Sequence, residues 1–306
     1  MAARVLSIQS HVVSGYVGNK AATFPLQLLG LDVDALNTVH FSNHTGYAHV
    51  KGQRLDGAQL DDIVAGLRLN GLLQQYTHVL TGYVGSASFL RSLVAVIREL
   101  KQANPAIVYV CDPVMGDHGR LYVPQEMVPL VREQLIPLAD VVTPNQFELE
   151  TLVGAAAPFP SHVEALAAID RLHEYGPRTV VLTSSDFGGG GGGGGGSAAS
   201  TIDFIGSNRA TGQRVKIAIP RLNRAFSGTG DLTAALLLAW TWRLPSDQFP
   251  VACEKVVASI QGVLKETMRA AAAEGDGDSY KHNELRLIQS KTVLENPVVE
   301  LFSERV

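Results

Sequence analysis

The sequence predicts an α/β fold with a mainly parallel central sheet that helices cover on both faces. Apolar segments of strand length alternate with segments of helical periodicity along most of the chain, as in a series of βαβ units. A polar cluster follows each predicted strand, at the edge where open sheets of this class bind ligands. One further segment, Leu232–Trp240, is apolar on every side of a helix, which predicts that this helix is buried.

The elements follow from short local patterns. The parallel strands are predicted at Arg4–Gln9, Leu31–Val39, Thr77–Thr81, Ile107–Cys111, Val141–Val142 and Thr179–Leu182. Residues that favour helix starts precede the helices between them, namely Asn19, Asp56, Ser86 and Ser161, the last forming a capping box with Glu164. Another helix is expected after Pro124, a hairpin from Thr201–Ile205 and Arg214–Ile219, and a long helix over Val251–Ala273. Because no boundary interrupts the pattern, we expect one domain over residues 1–306.

The segment Gly188–Gly196 consists of nine consecutive glycines. Glycine-rich chains behave as flexible coils, so we expect a solvated surface loop here. The run does not form a phosphate-binding loop, because no Gly-Lys-Ser/Thr sequence follows it.

Composition narrows the class of protein. A chain of 306 residues, 46% of them hydrophobic, can bury a large core, and its net charge of −4 argues against nucleic acid or anionic membrane as partners. Cys111 and Cys253 lie in apolar surroundings, which is typical of buried thiols in a reducing compartment. No apolar run reaches membrane-spanning length, and Met1–Arg4 leads directly into the first strand, so we expect a cytoplasmic protein.

The sequence Gly228-Thr229-Gly230-Asp231 immediately precedes the apolar helix. Unpaired N–H groups at a helix start bind anions, and glycines let a ligand approach the backbone closely. Asp231, in the first turn, is then placed to accept a proton from an attacking hydroxyl group. The alternative is that Asp231 only stabilises the helix start, where aspartate is favoured for capping and dipole reasons.

Carboxylates at two further strand ends suggest a site for Mg²⁺ with a nucleotide. Asp112 and Glu148 are the best placed, in contact with the ion either directly or through its waters. The alternative for Asp112 is an ordinary turn aspartate before proline, and for Glu148 an acid in the first turn of a helix.

Other side chains near the strand ends point to a pocket rather than to a transition-metal site. His40, His44 and His49 do not indicate metal binding, because no carboxylate completes a known ligand set. Tyr16, Val17 and Tyr83 are better interpreted as walls around a flat ring. The residues expected to converge at the carboxyl edge of the sheet are Ser10, Thr45, Tyr83, Asp112, Asn145, Glu148, Thr183 and Asp231.

Seven segments together resemble the pyridoxal kinase family. They are Ser7–Asn19, Phe41–Tyr47, Leu80–Tyr83, Cys111–Asp117, Thr143–Glu148, Thr183–Asp186 and Gly228–Asp231. The likeness runs from the first strand to about Lys265, whereas Gly-Thr-Gly-Asp alone points only to the wider ribokinase-like superfamily. It implies a ribokinase-like fold and an ATP-dependent kinase of pyridoxal, pyridoxine and pyridoxamine, usually a homodimer.

The resemblance also implies roles for individual residues. Asp231 matches the catalytic base, and Gly228, Thr229 and Gly230 match the anion hole. The vitamer-binding positions correspond to Ser10, Val17, Val39, Thr45, Tyr83 and Asp231. Positions that contact ATP and its magnesium correspond to Asp112, Asn145 and Glu148, with further nucleotide contacts at Thr183, Ser184, Leu222, Asn223, Arg224 and Thr229. A monovalent cation, K⁺ or Na⁺, corresponds to Asp117, Thr143 and Thr183.

The chain departs from this family in two places, and two other functions stay open. Gly116–Tyr122 looks shorter than the lid loop of animal relatives, and Gly188–Gly196 replaces an ordinary sequence on the nucleotide side. One alternative is a kinase of another small compound, such as hydroxymethylpyrimidine or a sugar. The other is a non-catalytic carrier of pyridoxal phosphate, although a carrier does not need an acid beside an anion hole.

Overall fold

The computed structural model describes residues 3–187, 201–275 and 279–306, so the predicted loop Gly188–Gly196 lies outside the described residues. The strands are β1 (Arg4–Val12), β2 (Asp32–Phe41), β3 (Gly52–Arg54), β4 (His78–Thr81), β5 (Val108–Cys111), β6 (Gly116–Asp117), β7 (Arg120–Leu121), β8 (Val141–Val142), β9 (Thr179–Ser185), β10 (Thr201–Asn208), β11 (Gln213–Pro220) and β12 (Glu304–Arg305). The α-helices are α1 (Asn19–Leu28), α2 (Gly57–Leu69), α3 (Ala87–Ala103), α4 (Met127–Leu130), α5 (Gln146–Val153), α6 (His162–Glu174), α7 (Thr229–Arg243), α8 (Phe249–Ala273) and α9 (Lys291–Glu295).

The predicted parallel sheet is confirmed. The strands lie in the order β12-β11-β10-β9-β8-β5-β4-β1-β2-β3, and the pairs from β9 through to β2 are parallel. Antiparallel strands extend the sheet at both ends, with β3 at one and the predicted β10–β11 hairpin at the other. Because the central strands are parallel, their carboxyl ends meet at one edge. A separate hairpin, β6–β7, follows β5.

Helices cover both faces of the sheet, and each face has its own hydrophobic core. In β1, Leu6 and Ile8 face one core and Val5 faces the other, because successive side chains of a strand point to opposite faces. The first core includes residues of α2 to α6, and the second includes residues of α1, α7, α8 and α9. Cys111 and Cys253 are buried and form no disulfide with a described residue, as predicted.

Helix α7 is buried along Leu232–Trp240, as its apolar sequence predicts. It contacts α1 and α8 and lies against β4 and β5, so the turn at its start is held by the middle of the sheet. Within the described ranges, no helix combines the length and the apolar character needed to cross a bilayer.

One predicted helix cap and one predicted capping box are wrong. The side chain of Asn19 does not cap α1; the N-cap is Gly18, and the Asn19 amide donates to the carbonyl oxygen of Leu36 at 3.0 Å. Buried strand carbonyls therefore take the hydrogen bond that a cap would use. Ser161 does cap α6, through the N–H of Val163, but the Glu164 carboxylate pairs with the Ser161 hydroxyl group, so the reciprocal capping box is not formed.

The caps of α2 and α3 are confirmed. Asp56 accepts from the N–H of Gln59 at 2.9 Å, and the Gln59 side chain completes a capping box. Ser86 accepts from the N–H of Phe89 at 3.3 Å. Strand β1 extends three residues beyond the predicted Gln9, to Val12. Its pairing with β2 shifts register between Gln9 and His11, so Ser10 lies at an irregularity of the kind that re-aims side chains next to functional sites.

Candidate functional site

The turn before α7 is packed against the loop that follows β1. Gly228, the N-cap of the helix, has a left-handed backbone with φ of 84°. A Cβ atom at this position would overlap the carbonyl oxygen of Tyr16, so glycine is required. The turn is therefore held directly against the backbone of Tyr16 and Val17.

The start of α7 offers backbone N–H groups to an anion. None of the described side chains caps this helix, so its first N–H groups are open to a ligand, and the helix dipole adds partial positive charge at the same point. The predicted anion-hole residues, Gly228, Thr229 and Gly230, all lie in this turn, and none of them is fully buried. The geometry suits a phosphate group.

Asp231 lies in the first turn of α7, is half-buried, and does not cap the helix. Its carboxylate instead faces the N–H of Gly18, in the loop after β1. Burial raises the pKa of Asp231 to about 6, and the backbone N–H of Gly18 offsets part of that rise. A carboxyl group with a pKa near neutrality is suited to general-base chemistry, which favours the proton acceptor over the cap.

Asp112 is buried beside the same turn, directly after β5. Its Oδ2 atom has no hydrogen-bond partner among the described residues, and it lies 3.7 Å from the position that a Cβ atom on Gly230 would take. Burial raises the pKa of Asp112 well above its usual value, and the charges of Glu148 and Asp231 raise it further. The Thr143 hydroxyl group lowers this pKa but does not meet the carboxyl group in hydrogen-bonding geometry. A buried, unpartnered carboxylate oxygen fits a site that a cation completes.

Glu148 and Asn145 form a capping box at the start of α5. Glu148 Oε2 accepts from the Asn145 N–H at 2.9 Å, and Asn145 Oδ1 accepts from the Glu148 N–H at 2.9 Å. Glu148 Oε1 also accepts from the Met115 N–H at 3.0 Å. Burial raises the pKa of Glu148, and these backbone bonds offset part of the rise. Glu148 therefore has the helix-start role that the sequence left open as its alternative, and each oxygen keeps a second lone pair for a metal-bound water.

The β6–β7 hairpin carries Asp117 and is tied to the site through Asn145. The side-chain amide of Asn145 donates to the Gly116 carbonyl oxygen at 2.9 Å. The Asp117 side chain is 45% exposed and accepts from the N–H of its neighbour His118 at 2.8 Å. The structure thus places Asp117 on an exposed hairpin next to the acidic residues.

Thr143 and Thr183 lie on neighbouring strand ends, on either side of Pro144. Thr183 donates to the Pro144 carbonyl oxygen from both its N–H, at 3.0 Å, and its hydroxyl group, at 3.4 Å. Thr143 is buried and its hydroxyl oxygen has no partner among the described residues. Carbonyl and hydroxyl oxygens of this kind are suitable ligands for a hard cation.

The remaining predicted nucleotide contacts lie at the ends of β9 and β11. An ion pair between Asp186 and Arg221 joins the two strand ends. Ser184 is half-buried in β9, Leu222 packs against the second core, Asn223 is exposed and Arg224 is half-buried.

Three predicted vitamer contacts form one apolar surface. Val39 is buried with Val12 and Phe41, and Val17 and Tyr83 pack against them. The Tyr83 hydroxyl group accepts from Arg54 Nη1 at 3.2 Å, which turns its polar end outwards.

The two polar vitamer contacts lie in separate loops. Ser10 lies against Gly18, where a Cβ atom would overlap the Ser10 hydroxyl and carbonyl oxygens. Thr45 is exposed in the turn between His44 and Tyr47. No hydrogen bond joins Ser10 and Thr45 among the described residues.

The sequence analysis does not identify two residues that contribute to this edge. Gly18, which faces both Ser10 and Asp231, was signalled only by the glycine-rich turn after β1. Glu284, whose carboxylate lies behind the loops at residues 15–18 and 43–47, has no local signal, because its partners lie more than 200 positions away. In the described part of the chain, no three His, Cys, Asp or Glu side chains converge to hold a metal by themselves.

Proteins of known activity resemble this chain over nearly its whole length. The family model described as phosphomethylpyrimidine kinase matches residues 58–273. The chain is 50% identical to the pyridoxal kinase of Sus scrofa, over 97% of this chain and 93% of that protein. It is 48% identical to the pyridoxal kinase of Arabidopsis thaliana, over 99% and 94% respectively. The solved structure of pyridoxal kinase from Leishmania donovani in complex with ADP and pyridoxamine superposes with a TM-score of 0.88, at 37% identity and 99% coverage of both chains.

Replacing Asp231 by Asn is expected to change how stability depends on pH. An unfolded aspartate has a pKa of about 3.9, whereas folded Asp231 has one of about 6. Between these values the folded state binds more protons than the unfolded state, so wild-type stability falls as pH rises through this window. The Asn variant has no titrating group at this position, so its stability does not fall in this way. Its free energy of unfolding, relative to wild type, should therefore rise by on the order of 1–2 kcal/mol from about pH 4 to about pH 7 in urea titrations. A difference that stays constant with pH would contradict a raised pKa.

Proposed function

The chain belongs to the pyridoxal kinase family, and we propose that Asp231 is the base of the phosphoryl transfer that it catalyses. The protein is a kinase that phosphorylates B6 vitamers with ATP. A non-catalytic carrier is therefore excluded. The observation that carries the proposal is the half-buried Asp231 carboxylate at the start of an uncapped, buried helix. We further propose that a divalent metal ion accompanies the nucleotide.

The proposed chemistry is an in-line transfer between two oxygens. The 5′-hydroxyl oxygen of the vitamer attacks the γ-phosphorus of ATP, and its proton passes to the Asp231 carboxylate. The new O–P bond forms as the bond from the γ-phosphorus to the bridging oxygen of ADP breaks. N–H groups around Gly228–Gly230 stabilise the charge on the transferring phosphoryl group. With a pKa of about 6, Asp231 is mostly ionised near neutral pH and can take the proton.

Asp112 and Glu148 are proposed to hold the divalent ion. The buried, unpartnered Oδ2 of Asp112 suits a direct ligand or a hydrogen bond from a metal-bound water. Glu148 would act through water, since both of its oxygens accept from backbone N–H groups. The bound ion supplies charge neutralisation at the phosphates. Asn145 fixes Glu148 through the capping box and contacts the nucleotide in this proposal.

The vitamer is proposed to lie with its ring against the apolar surface and its polar groups towards the two flanking loops. The contacts assigned to it are Ser10, Val17, Val39, Thr45, Tyr83 and Asp231. The nucleotide contacts assigned with Asp112, Asn145 and Glu148 are Thr183, Ser184, Leu222, Asn223, Arg224 and Thr229. Both sets rest on the match of these positions to the family and on their common edge of the sheet.

Hydroxymethylpyrimidine is a second candidate substrate. The matching family model is described as phosphomethylpyrimidine kinase, which names a related pyrimidine, and hydroxymethylpyrimidine shares with the vitamers a flat ring that carries a hydroxymethyl group. Relatives of about half identity carry the name pyridoxal kinase, which favours the vitamers. A homodimer, a cytoplasmic location, a single domain and the absence of nucleic-acid and membrane partners stay predictions.

Asp231→Asn is expected to abolish most turnover without loss of binding. Asn keeps the size and one acceptor oxygen but cannot take the proton. Loss of a general base costs about 10²–10⁴-fold in rate, so kcat should fall by that factor while the KM for ATP stays near wild type. The assay incubates each protein with ATP, Mg²⁺ and pyridoxal, pyridoxine, pyridoxamine or hydroxymethylpyrimidine, and identifies the 5′-phosphate product by mass spectrometry.

The matched control for this assay is Asp32→Asn, the same substitution at a 60% exposed aspartate at the opposite edge of the sheet. It should leave kcat unchanged. If Asp231→Asn retains most of the wild-type turnover, Asp231 is a structural residue; if only hydroxymethylpyrimidine is phosphorylated, the second candidate is the substrate.

A monovalent cation at Asp117, Thr143 and Thr183 is also proposed. The buried hydroxyl oxygen of Thr143 has no partner in the described residues, and a K⁺ or Na⁺ ion would satisfy it. Activity should then rise severalfold when K⁺ or Na⁺ replaces tetramethylammonium at constant ionic strength, and Thr143→Val should remove the response. Equal rates in all three salts would exclude the site.

A further inference from the structure

A cluster of polar side chains lies behind the proposed vitamer site and takes no part in the chemistry above. It consists of Glu284, His44, Tyr47 and Tyr280, and we refer to it as the Glu284 cluster. His44 and Tyr47 belong to the loop that carries Thr45, whereas Glu284 and Tyr280 come from the chain after α8. Both the His44 ring and the Glu284 carboxylate are about nine-tenths buried.

The Glu284 carboxylate accepts hydrogen bonds from two separate loops. Its Oε2 accepts from the N–H of Tyr16 at 3.0 Å, in the loop that carries Val17. Its Oε1 accepts from the Tyr47 hydroxyl group at 3.1 Å and lies 3.3 Å from His44 Nε2. The carboxylate also fills the space beside Gly15 that a side chain there would need. One carboxylate therefore joins both loops.

The hydrogen bonds of His44 fix its tautomer. The N–H of Gly46 donates to His44 Nδ1 at 3.1 Å, so Nδ1 carries no proton. The ring proton is then on Nε2, which lies 3.3 Å from Glu284 Oε1. Edge contacts with Tyr47, at 4.8 Å between ring centroids, and with Tyr280, at 5.5 Å, hold the ring in this orientation. The turn that carries Thr45 is thereby anchored on Glu284.

The environment of Glu284 keeps it charged. Burial alone would raise its pKa, but the bonds from His44, Tyr16 and Tyr47 outweigh burial and lower the pKa below its usual value. The same proximity raises the pKa of Tyr47 to about 12, through burial first and then the Glu284 charge. Tyr47 thus remains a donor, and all three donors point at a single anion.

We infer that Glu284 is a positioning residue for vitamer recognition, which sets the loop of Tyr16 and Val17 against the loop of His44 to Tyr47. The inference rests on the proposed function, because these two loops carry the assigned vitamer contacts Val17 and Thr45. Apart from Thr229, at the start of α7, the assigned nucleotide contacts lie elsewhere, at the ends of β5, β8, β9 and β11. Loss of the Glu284 carboxylate should therefore weaken the binding of the vitamer more than the binding of the nucleotide.

Glu284→Gln tests this inference without a change of size. Glutamine supplies one acceptor oxygen, so it cannot accept from Tyr16, Tyr47 and His44 together. The Kd of pyridoxal, measured by calorimetry without nucleotide, and the KM of pyridoxal should both rise about 10-fold or more, the range for losing a hydrogen bond to a charged group. The Kd of ADP and the KM of ATP should stay within about 2-fold of wild type.

Glu254→Gln is the matched control. Glu254, on α8, accepts from the N–H of Ser303 at 2.9 Å and from its hydroxyl group at 2.7 Å, so it also ties down the chain after α8 but away from the vitamer loops. It should leave both pyridoxal and ADP binding unchanged. If Glu284→Gln weakens pyridoxal binding and ADP binding equally, or if Glu254→Gln has the same effect as Glu284→Gln, the role of Glu284 is merely structural and the inference is overturned.

A milder variant keeps the test decisive if Glu284→Gln does not fold. Tyr47→Phe removes only one hydrogen-bond donor to Glu284. It should raise the Kd of pyridoxal about 3-fold or more and leave the Kd of ADP unchanged. An unchanged pyridoxal Kd would overturn the inference. A wild-type protein that neither binds nor phosphorylates pyridoxal would instead contradict the proposed function.

Discussion

The backbone of residues 15–18, in the loop after β1, is the constraint on which the site depends. Gly228 packs against the carbonyl oxygen of Tyr16, and Glu284 accepts from the N–H of the same residue. Gly18 faces Ser10 on one side and the Asp231 carboxylate on the other. This short loop thereby sets the distance between the anion-binding turn of α7 and the apolar surface proposed for the vitamer. A shift of the loop would move the acceptor hydroxyl group and its base at the same time, and small misplacements of this kind are costly in catalysis.

The electrostatics of the site are unfavourable without ligands. Asp112, Glu148 and Asp231 meet at one edge of the sheet, where burial raises the pKa of each, and the charges of Glu148 and Asp231 raise that of Asp112 further. The helix start of α7 and the N–H groups at Met115 and Asn145 compensate only part of this charge. A cation bound with the nucleotide would neutralise the remaining negative charge. The site therefore lowers the stability of the folded protein until its ligands are bound.

Local patterns in the sequence predict the parts of the site that are built locally. The Gly-Thr-Gly-Asp turn and the caps at Asp56 and Ser86 each depend on a few adjacent residues, and the structure has them as expected. Asn19 was misassigned because its amide reaches strand carbonyls that only the folded sheet provides. Glu284 was missed because its bond to Tyr16 spans 268 positions, a relation that no periodicity or spacing can carry. The assignment of Ser10, Thr45 and the nucleotide contacts came from resemblance to the family, since single polar residues at strand ends are too common to identify a ligand.

The central claim is that Asp231 accepts the proton of the attacking hydroxyl group, and the pH dependence of kcat/KM tests it most directly. The measurement uses pyridoxine as the varied substrate at saturating Mg-ATP, and the Kd of pyridoxine over the same range separates binding from chemistry. Because a base must be ionised to act, kcat/KM should fall with unit slope below a pKa near 6, the value to which burial raises Asp231, while the Kd changes little. Activity that stays constant down to about pH 4.5, well below that pKa, would contradict the account.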